Sequence, residues 1–358
     1  MKRMRYVAMA GLMCAAGVLT ACGSDDEGGG GGDTPEGKVG VILPDTESSV
    51  RWETADKPAL ETAFEEAGVD YDIQNANGDA ERMTTIADQM ITEGVTVLAI
   101  VNLDSESGAA IEQKAADAGV ATIDYDRLTL GGSAQYYVSF DNTVVGELQG
   151  QGLAECLGGG PADIAYLNGS PDDNNATLFA EGAHSVLDEM SDYSVVAEQA
   201  VPAWDNVEAG TIFEQMFTEN SGEIDGVLAA NDGLGNAAIA ILRKNGLAGD
   251  IPVTGQDATV QGLQNILDGS QCMTVYKSAR QEAGALADLA IALIDGEEGE
   301  TTGTVTDTEG GREVPSVLLD PVAITPDNVS DVVDDGGVSA DELCTGSYAD
   351  LCAEAGIS

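Results

Sequence analysis

The stretch TVLAIVNLDSESGAAIEQKAADAGVATIDYDR, residues 96–127, holds one full turn of the pattern that decides the fold. TVLAIV (96–101) is a short β-rich run, Ala109 to Ala118 places apolar residues at helical spacing, and VATIDY (120–125) is a second β-rich run. The same alternation repeats on either side. KVGVILP (38–44) and DYDIQNA (70–76) come before it, QYYVSF (135–140) follows, and helical spacing marks Ala59 to Ala67 and Ala80 to Glu93. A second series reads DIAYLN (163–168), YSVVAEQ (193–199), DGVLAA (225–230), IPVTGQ (251–256) and CMTVYK (272–277). Helical stretches from Asn175, Val207, Gly233 and Val260 lie between those strands. Such alternation predicts an α/β fold with parallel sheets covered on both faces by helices. From Lys38 onward about 320 residues are available, more than one core usually serves, so two domains are expected.

In sheets of this kind ligands collect outside the carboxyl ends of the strands. The residues found there carry the chemistry of this chain. Arg51-Trp52 come after Val41–Pro44, Asp126-Arg127 after Ile123–Tyr125, and Asp141-Asn142 after Val138–Phe140. GSPDDNNA (169–176) follows Leu167, Trp204 follows Val201, and Asn231-Asp232 follow Leu228–Ala230. Val253 leads into Gln256-Asp257, and Val275 ends at Lys277. Both tryptophans of the chain, Trp52 and Trp204, fall in these loops. Flat apolar rings beside Arg, Asp, Asn and Lys suit a sugar. The C–H face of a pyranose packs on an aromatic ring, and its hydroxyls donate to Asp and accept from Arg, Asn or Lys. One Asp or Asn after a strand is as readily a helix N-cap. The whole set, ending strand after strand, points to a ligand.

The N-terminus says where the chain works. Lys2, Arg3 and Arg5 form a basic n-region, and Val7 to Thr20 is apolar but too short for a permanent span, which needs ~20 residues. Leu19-Thr20-Ala21-Cys22 looks like a bacterial lipobox, so residues 1–21 read as a lipoprotein signal peptide and Cys22 as the lipidated first residue. Gly23 to Gly37, GSDDEGGGGGDTPEG, holds nothing able to build a core and reads as a tether with a reach of ~20 Å. The expected location is extracytoplasmic, at the outer face of the cytoplasmic membrane or in the periplasm, held by the lipid alone.

Loss of Lys2, Arg3 and Arg5 leaves 11 basic residues against 63 acidic ones, a net charge of −52. Nucleic-acid binding relies on clustered Lys and Arg and is excluded. Cys156, Cys272, Cys344 and Cys352 remain in an oxidising compartment, an even number that permits disulfides; Cys344 with Cys352 is the first expectation. Neither Cys-x-x-Cys nor a Cys/His cluster exists, so no metal or cofactor is expected. Enzyme readings find little support. His184, the only histidine, sits in the apparent helix Asn175–Met190, no Gly-x-Ser-x-Gly elbow is present, and GGGGG (28–32) precedes no strand-to-helix turn. The run Asn75 to Asp79 has only part of a calcium-loop spacing.

With these residues in view, the chain resembles the periplasmic-binding-protein-like sugar receptors of ABC importers, closest to their xylose-binding branch. The matching motifs are RW (51–52), ANG (76–78), YDR (125–127), SFDN (139–142), VGELQ (145–149), GSPDDNNA (169–176), ND (231–232), GQDA (255–258) and MTVYK (273–277). They cover almost all of residues 38–325. The resemblance implies two Rossmann-like lobes, the type I arrangement, joined by three crossovers near Asp141, Asp257 and residues 295–315. Residues 38–141 plus 257–300 would form the N-terminal lobe, and 142–256 plus 301–358 the C-terminal lobe. It also implies that Trp52 and Trp204 sandwich a sugar ring. Arg51, Asp126, Arg127, Asn174, Asn231, Asp257 and Lys277 would bind its hydroxyls, while Asn175 and Asp232 cap helices or shape the rim. Two departures stand out: Ala200 lies where related Gram-negative proteins carry a further Trp, and CTGSYADLC (344–352) has no counterpart. A monomer would close around a monosaccharide and deliver it to the permease subunits of an importer. The alternative is a sensor using the same cleft to signal through a membrane kinase or chemoreceptor.

Overall fold

The computed structural model describes residues 37–357. Cys22 and the expected signal and tether segments lie outside these residues, apart from Gly37. The first lobe opens with β1 (Lys38–Leu43), a π-helical turn (Trp52–Asp56), α1 (Lys57–Ala67), β2 (Asp70–Asn75) and α2 (Ala80–Thr92). It continues through β3 (Val97–Ile100), α3 (Ser105–Asp117), β4 (Ala121–Tyr125) and β5 (Tyr136–Phe140). The chain then crosses into a second lobe with α4 (Asn142–Leu157), β6 (Ala162–Asn168), α5 (Asn174–Leu187), β7 (Tyr193–Ala200) and α6 (Asn206–Glu219). There follow β8 (Gly226–Ala229), α7 (Asp232–Lys244), α8 (Val260–Asp268) and β9 (Thr274–Tyr276). It returns to the first lobe for α9 (Ala279–Asp295), β10 (Gly303–Asp307) and β11 (Arg312–Leu319). A last crossing leads to β12 (Val322–Ile324), α10 (Val329–Asp334), α11 (Ala340–Leu343) and α12 (Tyr348–Glu354).

The first sheet has the order β10-β11-β5-β4-β3-β1-β2, parallel except for the β10–β11 hairpin. Alternation along β1 shows how it is buried on both sides. Val39, Val41 and Leu43 face α1 and α9 with Leu60, Phe64 and Leu286, while Ile42 faces α2 and α3 with Met83, Met90 and Ile111. The second lobe is built on a smaller parallel sheet, β7-β6-β8, with the β12–β9 pair beside it. Here Ile164 and Tyr166 of β6 pack with Leu153 and Leu187, and Ala165 and Leu167 pack with Phe213, Leu234 and Ile239.

Two boundaries differ from the expectation. Residues 258–276 stay with the second lobe: Asp257 N–H donates to Val275 O, and Ala258, Leu263 and Tyr276 share a core with Ile324 and Val332. Residues 303–319 extend the first sheet through four β11–β5 pairings from Ser316 to Leu319. The crossings therefore fall near Asp141, Lys277–Ser278 and Asp320, and the lobes are 38–141 with 278–319 and 142–277 with 320–357. The sequence misled at Asp257 because a ligand loop and a crossing both follow a strand. IPVTGQ is also not a regular strand. Pro252 lacks an N–H, so only the bridge Val227–Val253 forms beside β8.

Both disulfides lie in the second lobe. Cys344–Cys352 links the tail helices, and Cys156–Cys272 ties the end of α4 to the segment just before β9, 116 positions apart. Among the described residues no helix is long and apolar enough to cross a membrane.

Candidate functional site

The strands of both lobes end at one cleft. On the first-lobe side the π-helical turn after β1 decides the geometry. Its wider winding brings residues five apart onto one face, so Arg51 meets Asp56 side-on: Nε donates to Oδ2 at 2.7 Å and Nη2 to Oδ1 at 2.6 Å. Nη2 also donates to Glu282 Oε2 at 2.8 Å and Nη1 to Asp126 Oδ2 at 3.1 Å. One guanidinium thus faces three buried carboxylates. Burial opposes the charge on Arg51, but Asp56, Asp126 and Glu282 outweigh it and raise its pKa further. One positive charge shared among three acids leaves the third short. Burial, with Asp126 nearby, pushes Glu282 up to about 8.

Asp126 sits after β4 with φ at +61°, the left-handed region that costs a non-glycine residue ~1–3 kcal/mol. The surroundings fix it there. Its carbonyl accepts from Tyr137 Oη, Ser139 Oγ and Asn175 Nδ2 at 3.0, 2.8 and 2.9 Å. Its carboxylate takes Arg51, Lys277 Nζ at 2.9 Å and Asn175 Nδ2 at 3.1 Å. Burial alone would raise its pKa, yet Lys277 and Arg51 hold it down at about 2. Arg127 gives Nη1 to Asn102 O at 3.2 Å, and its Nε lies 2.9 Å from Asp173 Oδ2 without aiming the N–H at it.

Trp52 and Trp204 line the cleft from opposite lobes, both buried. Trp52 donates Nε1 to Ser48 Oγ at 3.1 Å, and the guanidinium carbons of Arg51 and Arg127 lie 4.7 and 5.5 Å from its ring centroid. Trp204 donates Nε1 to Asp173 Oδ2 at 3.1 Å and lies so close to Gly169 that any Cβ there would strike the indole. Asp257 follows Val253 with φ at +99°. It is partly exposed and accepts from Ser49 Oγ of the other lobe at 2.6 Å and from Gln256 Nε2. No Lys or Arg pairs with it directly among the described residues, and burial raises its pKa. Its free acceptor capacity therefore faces the cleft.

Of the residues expected at the site, Arg51, Trp52, Asp126, Arg127, Trp204, Asn231, Asp257 and Lys277 meet at this cleft. Asn231 does so while capping α7, since Oδ1 accepts from Leu234 N; its Nδ2 donates to Ser48 O of the other lobe at 3.1 Å. Two assignments are corrected. Asn174 is half-buried and lines no part of the cleft; its neighbour Asn175 does, because successive residues of a helix face ~100° apart. Asp232 is neither ligand nor rim but lies fully buried behind the loop of Asp257. Ser48, Ser49, Asp173, Phe179 and Gln256 complete the lining and were missed. Asp173 was within reach, since it stands in the GSPDDNNA loop after β6. His184 stacks on Tyr166 outside the cleft, bonded to Asp188 and Glu198. Asn75 and Asp79 serve a turn and the cap of α2.

Residues 39–298 match the family described as periplasmic binding protein domain. The chain is 34% identical over 312 residues to the D-xylose-binding periplasmic protein of Escherichia coli, covering 86% of this chain and 93% of that protein. This chain belongs to the periplasmic binding protein family. A second member, the multiple sugar-binding periplasmic receptor of Rhizobium radiobacter, is 33% identical over 329 residues, 86% of this chain and 92% of that one. The fold is the family's type I form. A carbohydrate transporter solute-binding protein from Chloroflexus aurantiacus, solved with D-glucose, superposes with a TM-score of 0.78 at 28% identity. That likeness covers 85% of this chain and 97% of that chain. Periplasmic binding proteins of this kind bind solutes and make or break no bonds, so the chain is not an enzyme.

Proposed function

We propose that this protein captures a neutral monosaccharide, D-xylose foremost, in the cleft between its lobes and delivers it to the permease of an ABC importer. The observation that carries the reading is charge balance in the lining: Arg51, Arg127 and Lys277 stand against Asp126, Asp173 and Asp257. A balanced site with spare donors and acceptors favours hydroxyls over a charged solute, because an unmatched buried charge is costly. Asp257, without a direct cationic partner, is the acceptor for sugar hydroxyls; Arg127 and Lys277 have N–H groups left to donate. Trp52 and Trp204 supply the two apolar walls.

Closure of the lobes around the ligand is the working mechanism. It is supported by three hydrogen bonds between one first-lobe loop and the second lobe: Asn206 donates to Glu47 O, Asn231 donates to Ser48 O, and Ser49 donates to Asp257. Lipidation of Cys22 would keep the protein at the outer face of the membrane. Similarity to the D-xylose-binding protein of Escherichia coli supports taking xylose first. The multiple-sugar receptor and the glucose-bound structure make other monosaccharides the competitors.

Calorimetric titration of residues 38–358 with D-xylose, glucose, ribose, galactose and arabinose tests this. One-to-one binding with xylose tightest is expected. Tighter binding of another sugar would move the specificity, and binding of none would end the sugar reading. Wild-type affinity in Arg127→Ala would remove that residue from the site.

A further inference from the structure

Asp232 touches no part of the cleft, yet it holds both ends of the loop that carries Asp257. Its backbone N–H donates to Gln256 O at 2.9 Å. Its Oδ2 accepts from Thr259 N at 2.8 Å and from Thr259 Oγ at 3.0 Å. One residue thus brackets positions 256 to 259. Its Oδ1 accepts from Gln271 Nε2 and Thr274 Oγ, both at 2.8 Å, which ties the bracket to the approach and first residue of β9. Four neutral donors surround this carboxylate, and no Lys or Arg pairs with it among the described residues.

The bracketed loop needs such a hold. Asp257 and Ala258 are consecutive non-glycine residues with φ of +99° and +51°. Each persists only where neighbours over-determine it, at a cost of ~1–3 kcal/mol. The bonds made by the loop itself are fewer: Asp257 N–H to Val275 O at 2.9 Å and Ala258 N–H to Thr274 Oγ at 3.3 Å. The second of these runs through a hydroxyl that Asp232 orients. Gly255 and Gly262 make room for the arrangement, because a Cβ at either would collide with the Asp232 carboxylate. Two glycines and four donors converge on a side chain that no ligand reaches.

We infer that Asp232 is a positioning residue, setting the strained backbone that aims the Asp257 carboxylate into the cleft. This rests on the reading of Asp257 as the acceptor for sugar hydroxyls. Asp232→Asn replaces one acceptor oxygen by an NH₂ that faces a donor, either at Thr259 or at Gln271 and Thr274.

The test uses the full chain, with Asp232→Asn and Asp257→Asn made singly and together, titrated with D-xylose. Asp232→Asn should weaken binding at least about tenfold, the size of a lost charge-assisted hydrogen bond. In the Asp257→Asn background it should cost less than about threefold more, because both changes then act on one group. Full multiplication of the two losses would overturn the inference, as would an affinity within twofold of wild type in Asp232→Asn despite a lowered melting temperature. Hydrogen exchange without sugar gives an independent arm: the amides of Asp257 and Ala258 should exchange at least about tenfold faster in Asp232→Asn. Unchanged exchange there would also overturn it. If Asp232→Asn does not fold, Thr259→Val, which removes one of the four donors, should show the same faster exchange, and no change would be fatal. Wild-type affinity in Asp257→Asn would instead remove Asp257 as the sugar acceptor, and no sugar binding at all would remove the sugar reading. The exchange arm would still decide what Asp232 holds.

Discussion

The two lobes fix their halves of the cleft by different physics. The first uses charge: Arg51 is gripped by Asp56, Asp126 and Glu282 under a broad seven-stranded sheet with no disulfide. The second has a three-stranded parallel sheet, both disulfides, and a buried carboxylate held by four neutral donors. A large sheet can anchor a buried ion network at its edge. A small sheet needs covalent ties and neutral bonds to give its loops the same definition. Reductant should therefore act on the second half of the site and leave the first unchanged.

The sharpest way to break this contrast is Asp126→Ala. It strips a partner from both Arg51 and Lys277 in a buried setting and should cost ~3–5 kcal/mol in urea unfolding. An unchanged midpoint would mean the ion network is not what orders the first lobe. The pKa of Asp126, about 2, lies below its ordinary 3.8, so its stabilisation is present above pH 3.8 and lost as the pH falls through about 2.

Cys156→Ser with Cys272→Ser comes next. Opening a loop of 116 residues should cost ~2–5 kcal/mol. Hydrogen exchange should rise across the second lobe and stay at wild-type levels in β1 to β4. Equal loosening of both lobes would show that they do not hold their structure separately.

Glu282 behaves opposite to Asp126 in the same lobe. Its folded pKa, about 8, is raised above the ordinary 4.5. Its support for folding is thus full below pH 4.5 and fades as the pH rises through about 8. Stability of Glu282→Gln should fall less than wild type between about pH 5 and about pH 8. Parallel curves would place the titration elsewhere.

Ser49→Ala probes the join between the lobes and should have the smallest effect. It removes one donor to Asp257 and should weaken sugar binding by ~1 kcal/mol, about fivefold, with the thermal midpoint little changed. A gain in affinity would show that Ser49 competes with the ligand for that carboxylate.

Much of this was legible in the sequence because parallel α/β folds put chemistry after strands. Strands β1 to β9 were legible as β-rich runs between helical stretches and most cleft residues followed from that rule, while the crossing at Asp141 came from the resemblance to sugar receptors. Register within a helix was harder: Asn174 and Asn175 are chemically identical, and only the rotation of α5 selects between them. Asp232 read as a cap or rim residue because, like Asn231, it follows β8; burial behind Gly255 and Gly262 is a tertiary fact. Strand β10 went unread because EEGETTGTVTDTEGG (297–311) is polar and β10 is the edge strand, where alternation is weak, and β11 because Pro315 argues against a strand inside a sheet.

Strand polarity carries a practical consequence. Every parallel strand runs toward the cleft, so Lys38, the first residue of β1, lies a strand length, ~17 Å, back from Leu43 on the far side of the first sheet. Lys38 therefore marks the rear of the first lobe. A fluorophore, a bead or a fused reporter joined there should leave the mouth clear and both lobes free to swing, which makes this end the natural handle for a surface-mounted sugar sensor.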